Sequence, residues 1–131
     1  MADGWEAWAK QPGLKGCIIG DSDGLIWGKY PAKLETKGWV ELVEGLLDTS
    51  KVQSHGVSFN GKHHVCLQAD EEFIHVKAGQ EGVLVKRSGP LVIVGIYGVD
   101  DQPGPSNAKL AATLRTLVEA GYGQNTDNIK G

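Results

Sequence analysis

The chain has 131 residues and a formal charge of −3, from 13 lysines and arginines against 16 aspartates and glutamates. That length fits one domain with a core of its own and leaves little room for a second. The mild acidity argues against nucleic-acid binding by net attraction, two cysteines are too few for a secreted disulfide framework, and no apolar run approaches the roughly 20 residues that cross a bilayer.

The opening MADGWEAWAK has no basic segment followed by an apolar run, so no secretory signal is expected, and the low cysteine count favours a reducing compartment. Asp3 is placed to cap a short helix carrying Trp5, Trp8 and Ala9, which Pro12-Gly13 ends. Trp5 and Trp8 stand three apart and share one helical face. Cys17-Ile18-Ile19 and Leu25-Ile26-Trp27, joined by Gly20-Asp21-Ser22-Asp23-Gly24, read as strand, turn and strand. Trp39, Leu42, Val43, Leu46 and Leu47 recur at helical spacing and predict a helix from Thr36 to Leu47.

Val57-Ser58-Phe59 before Asn60-Gly61 predicts a hairpin. His63 to Ala69, Phe73 to Lys77, Val83 to Arg87 and Leu91 to Tyr97 then follow one another as an antiparallel meander with short polar connectors. After Gln102-Pro103-Gly104-Pro105, Ser106 or Asn107 is placed to cap a last helix. Its apolar stripe is Leu110, Leu114, Leu117 and Val118, and Gly121 is its terminator. Residues 123–131 are polar and predict a loose tail, so the domain is taken as 1–122. The segregated order of helices and strands predicts an α+β domain with helices packed on a central antiparallel sheet.

Three segments of this sequence resemble the profilin family. The first is the aromatic pair Trp5 and Trp8 followed by Gly20-Asp21-Ser22-Asp23-Gly24-Leu25-Ile26-Trp27, similar to the family's G-x-D-G-x-x-W. The second is IHVKAGQEGVLVKRSGPLVIVGIY, from Ile74 to Tyr97, with its lysine–glycine turn, a strand ending in two basic residues, and a closing G-I-Y. The third runs from Gln102-Pro103-Gly104 through Asn107 into the helix that ends near Tyr122. Together they span residues 5–122 in order. The sequence departs from the family at Trp8, where many members have tyrosine, at His63-His64, which replaces a commoner lysine-tyrosine pair, at Ala108, where some carry lysine, and in the extension past Tyr122.

The resemblance implies terminal helices on one face of the sheet and a further helix on the other. It implies a non-catalytic protein without cofactor or metal, monomeric, cytoplasmic and cytoskeletal, that binds monomeric actin and speeds its nucleotide exchange. Residues matching the family's actin surface are Lys62, Val65, His75, Lys77, Gly104 and Asn107. Those matching its polyproline site are Trp5, Trp8, Trp27 and Tyr122, which would take proline-rich segments of formin-like or nucleation-promoting partners. Phosphoinositides at a membrane surface are a further implied partner, and nucleic acid is not.

Each group also has a plainer interpretation. The aromatic residues would serve as core glue between helices and sheet, although Trp5 and Trp8 near a chain end are hard to bury fully. Indole and phenol groups stack on the preformed extended helix of a proline-rich ligand and donate to its free carbonyls, which suits them to binding. Lys62, His75, Lys77, Lys86, Arg87 and Lys109 would form an ordinary solvated face or steer an acidic partner. Clustered charge of this kind also attracts phosphoinositide headgroups.

His64 and Cys66 share a strand face, and with His75 they would make a zinc set if the hairpin register allowed it. Pairing of Ala69 with Phe73 turns His75 away, and a shift by one brings it over. No fourth ligand stands at a firm spacing. Asp21 opens a segment like a calcium loop, but Ala32 occupies its twelfth position, where a glutamate is required. No nucleophile motif, phosphate loop or dinucleotide fingerprint occurs. Two other classes therefore stand beside the profilin expectation. One is a roadblock- or longin-type scaffold binding a GTPase or a dimer partner, against which the Trp5/Trp8 pair and the stretch from Pro103-Gly104 to Asn107 speak. The other is a small metal-dependent enzyme, which metal analysis would reveal.

Overall fold

The computed structural model describes residues 2–122. Along strand β7 (Leu91–Tyr97), Val92 and Val94 point into one core while Leu91, Ile93 and Tyr97 point into another. A strand apolar on both faces must be covered on both. The elements that cover it are α1 (Ala2–Lys10), α2 (Trp39–Leu47), α3 (Thr49–His55) and α4 (Pro103–Glu119). The sheet is completed by β1 (Gly16–Asp21), β2 (Ile26–Tyr30), β3 (Val57–Phe59), β4 (Lys62–Ala69), β5 (Phe73–Ala78) and β6 (Glu81–Ser88). The seven strands run in the order β2-β1-β7-β6-β5-β4-β3, every pair antiparallel.

On one face, Trp39, Leu42, Val43 and Leu46 of α2 and Val52 of α3 pack on Ile18, Ile74, Val76, Val83, Val85, Val92 and Val94. On the other, Ala9 of α1 and Leu110 and Leu117 of α4 pack on Cys17, Ile19, Leu84, Leu91 and Ile93. The expected α+β architecture, with the terminal helices on one face and a further helix on the other, is the one found. Each fully buried Leu, Ile or Val contributes about 1.5–3 kcal/mol, so these two layers hold the fold without a disulfide, and both cysteines are free.

The meander and the β3–β4 hairpin lie where the sequence puts them. The hairpin turns on Asn60 at φ 49° and Gly61 at φ 85°, the left-handed pair that a two-residue turn of this kind requires.

Four helix details differ from expectation. Helix α2 begins at Trp39, three residues after Thr36, because Gly38 sits at φ 101°. Asn60 also pins the backbone that precedes the helix: its side chain accepts from Lys37 N and donates to Glu35 O. Helix α3 was not expected, since TSKVQSH buries only Val52, yet Asp48 caps it by accepting from Ser50 N. Helix α4 starts at Pro103 behind Gln102, so Ser106 and Asn107 lie inside it, and Ser106 is buried. Helix α1 already includes Asp3, whose side chain, like residues 123–131, lies outside the described part of the structure.

Candidate binding surfaces

Helix α1 lies directly on β2 because Gly28 has no side chain. A Cβ there would fall 2.4 Å from Trp5 Cβ and 2.9 Å from the Trp5 carbonyl carbon. This contact sets the Trp5 ring between two others: its centroid is 5.0 Å from that of Trp27, tilted by 54°, and 5.0 Å from that of Tyr122, edge-on at 69°. Tyr122 is placed by the end of α4. There Gly121, at φ 102°, donates to the Val118 carbonyl and Tyr122 N donates to the Leu117 carbonyl, the paired bonds of a glycine-terminated helix.

Trp5 and Trp27 are half-buried and Tyr122 is 42% exposed, so this aromatic set is rooted in the core and open to solvent. Trp8 is half-buried against the same core. The indole N–H of Trp27 is not free: it donates to Asp21 Oδ2 at 2.9 Å, while Asp21 Oδ1 accepts from Asp23 N and Leu25 N. Only the position of Asp21 at the head of the turn hinted at this in the sequence.

The second surface lies where α4, which packs on β6 and β7, leaves β4 and β5 without a helix packed on that face among the described residues. Val65 stands opposite Lys77, Lys77 opposite Gly82, and Gly82 opposite Tyr97, so these four form one row across the sheet. Gly82 lets the Tyr97 ring lie flat over β6, since a Cβ there would meet the ring at 2.3 Å. Tyr97 thereby reaches β5, where its hydroxyl is hydrogen-bonded to His75 Nε2 at 2.7 Å. Burial, with the nearby Lys77 charge, holds the His75 imidazole below its ordinary pKa. Val65, 54% exposed, supplies apolar area beside Lys77.

Gly104 is exposed in the first turn of α4, and Asn107 follows with its Oδ1 buried and without a partner among the described residues. Lys62 stands apart. It pairs with Phe59 on the opposite face, where its ammonium meets Glu81 at 3.1 Å over a cavity of about 200 Å³ lined by Phe59, His64, Val83 and Ile96. The structure thus groups Val65, His75 and Lys77, and separates Lys62 from them.

The register also decides the zinc set. Ala69 pairs with Ile74, the shifted arrangement, which under strict alternation would bring His75 to the face of His64 and Cys66. A bulge at Leu67 intervenes, so Cys66 pairs with Val76 and faces the α2 core while His75 faces away. His64 is buried against Phe59, and its Nδ1 donates to the Lys62 carbonyl. Among the described residues no group of three His, Cys, Asp or Glu side chains is placed to hold a metal. Burial pushes the thiols of both Cys17 and Cys66 up, which leaves neither as a ready nucleophile.

A family model described as Profilin matches residues 4–122. Profilin-A of Physarum polycephalum is 29% identical over 107 residues, covering 82% of this chain and 86% of its own. Among solved structures, profilin IB of Acanthamoeba castellanii superposes with a TM-score of 0.82 at 22% identity, over 89% of this chain and 98% of its own. The chain in a complex titled LokiProfilin1/Rabbit Actin superposes at 0.72 and 15% identity, over 92% and 98%.

Proposed function

The chain belongs to the profilin family, and from that premise we propose that it is a non-catalytic adaptor holding monomeric actin on one surface and a proline-rich segment on another. The observation that carries the proposal is the open aromatic set, in which the Trp5 ring meets Trp27 at a tilt and Tyr122 edge-on, each at 5.0 Å between centroids. Rings spaced in this way form the grooves in which a proline helix docks with little loss of entropy. The actin surface of this proposal is the uncovered face of β4 and β5, with Val65, His75 and Lys77, continued by Gly104 and Asn107 at the start of α4. It is supported by the similarity in fold to a chain solved with rabbit actin. Lys62 would reach actin only from the edge of that surface.

In this account the protein works in the cytoplasm as a monomer, delivering actin to proline-rich filament-elongating or nucleating proteins. It speeds nucleotide exchange through contacts on actin rather than through chemistry of its own. Phosphoinositide headgroups would compete for the same cationic groups, Lys77 foremost, since Lys86 is folded over the Phe73 ring at 4.5 Å and Arg87 donates to the Gly89 carbonyl. Capture on polyproline beads, with and without actin monomer, tests the proposal. Retention of the protein, and of actin only through it, is the expected result; passage of the protein through the beads contradicts it.

A further inference from the structure

We propose that Asp21 is a positioning residue for the proline-rich ligand: it holds the Trp27 N–H inward, so that Trp27 offers the ligand its ring alone and the hydrogen bonds come from Trp5 and Tyr122. The inference rests on the proline-binding role given above and specifies how that site works. Its basis is a division of labour within one carboxylate. Oδ1 closes the β1–β2 turn by accepting from Asp23 N at 2.9 Å and Leu25 N at 3.2 Å, and Oδ2 accepts from Trp27 Nε1 at 2.9 Å.

The turn has other anchors. Trp39 Nε1 donates to the Gly24 carbonyl at 2.8 Å, Ser22 N donates to the Pro90 carbonyl at 2.9 Å, and Gly24 N donates to the Asp21 carbonyl at 3.0 Å. The Oδ2 bond is therefore the one whose effect falls on the aromatic set. A charge-assisted bond fixes the indole plane more firmly than ring packing alone. It also commits the only side-chain donor of Trp27. Trp5 Nε1 and Tyr122 OH have no hydrogen-bond partner among the described residues and are open to the unpaired carbonyls of an extended proline helix. Trp27, at 5.0 Å from Trp5, then supplies a fixed wall against which the proline rings stack.

The test is a double-mutant cycle between Asp21→Asn and Trp27→Phe, read by polyproline affinity and by the indole N–H resonances, with the Trp27 signal assigned by its loss in Trp27→Phe. Asparagine keeps an oxygen for the turn amides but presents N–H groups to the indole. Asp21→Asn should leave the thermal midpoint near that of the wild type, move the Trp27 indole resonance toward that of a solvent-exposed indole, and weaken polyproline binding about tenfold. In the Trp27→Phe background, which has no N–H to hold, the same substitution should cost less than about twofold. Should Asp21→Asn not fold, Asp21→Ser, whose hydroxyl keeps a turn acceptor, is read in the same two backgrounds.

An unmoved Trp27 resonance, an unchanged affinity, or a full penalty persisting beside Trp27→Phe each overturns the inference. A wild-type protein that fails to bind polyproline overturns the proline-binding role and the inference with it. Binding by the wild type with no coupling overturns the inference alone.

Discussion

Single residues decide which side chains reach solvent and in what state. Trp5 touches both other rings of the aromatic set, so Trp5→Ala removes the central contact, and on the order of 2 kcal/mol of polyproline binding should be lost, as for a hot-spot aromatic. Circular dichroism verifies the fold in that variant, and an unchanged affinity would show that the rings are core alone. Two imidazoles, His64 buried and His75 half-buried, make a second prediction. Burial holds His64 below its ordinary pKa of 6.5, opposed by its bond to the Lys62 carbonyl and aided by the Lys62 charge, and burial also lowers His75. A folded pKa below the unfolded one means that nothing is lost while both states are neutral. As pH falls below about 6.5 the unfolded chain takes up protons first and stability declines, until the folded pKa is reached. Thermal midpoints measured from about pH 7.5 down to pH 5.5 should fall, and His64→Phe should flatten that decline. An identical slope in the variant would remove His64 from the account.

At the scale of elements, the least conspicuous helix depends most on its cap. Helix α3 buries only Val52, and Asp48 accepts from both Ser50 N and Ser50 Oγ at its start. Asp48→Ala should cost about 1 kcal/mol, seen as a lower denaturant midpoint with an unchanged slope. No change would mean that packing of Val52 suffices. The same helix shows the limit of what periodicity reveals. Strands β4 to β7 were legible because short runs rich in apolar residues recur between turn residues, most plainly Leu91 to Tyr97, and α4 because Leu110, Leu114 and Leu117 repeat at helical spacing. A polar seven-residue helix has no such repeat, and its one signal was the cap at Asp48. The bulge at Leu67 was likewise invisible, because every residue from Lys62 to Ala69 suits a strand, and this single extra residue decides that His75 turns away from Cys66. Of the proposed binding residues, the aromatic set was legible from the Trp5–Trp8 spacing and the family resemblance. The Asp21 bond to Trp27 and the Tyr97 bond to His75 were not, since both form only when strands are brought into register.

At the scale of the whole molecule, the two proposed sites are joined by rigid parts and kept apart by them. Helix α4 has 17 residues and so spans about 25 Å, with Gly104 and Asn107 at one end and Tyr122 just past the other. Across the sheet, β2 and β5 lie four strand spacings apart, about 19 Å along the sheet. Sites so separated and without shared side chains should bind almost additively. Lys77→Glu should therefore slow actin association and make it less sensitive to salt, while polyproline affinity stays within about twofold; loss of both ligands together would mean a shared surface. Holding two ligands on one small body raises their effective concentration toward each other, which is the proposed use of the protein. The most direct test is a titration of the protein with decaproline, followed by tryptophan fluorescence, alone and with saturating actin monomer. The same dissociation constant within about twofold and a ternary complex by sedimentation are the expected results. Displacement of the peptide by actin would contradict them.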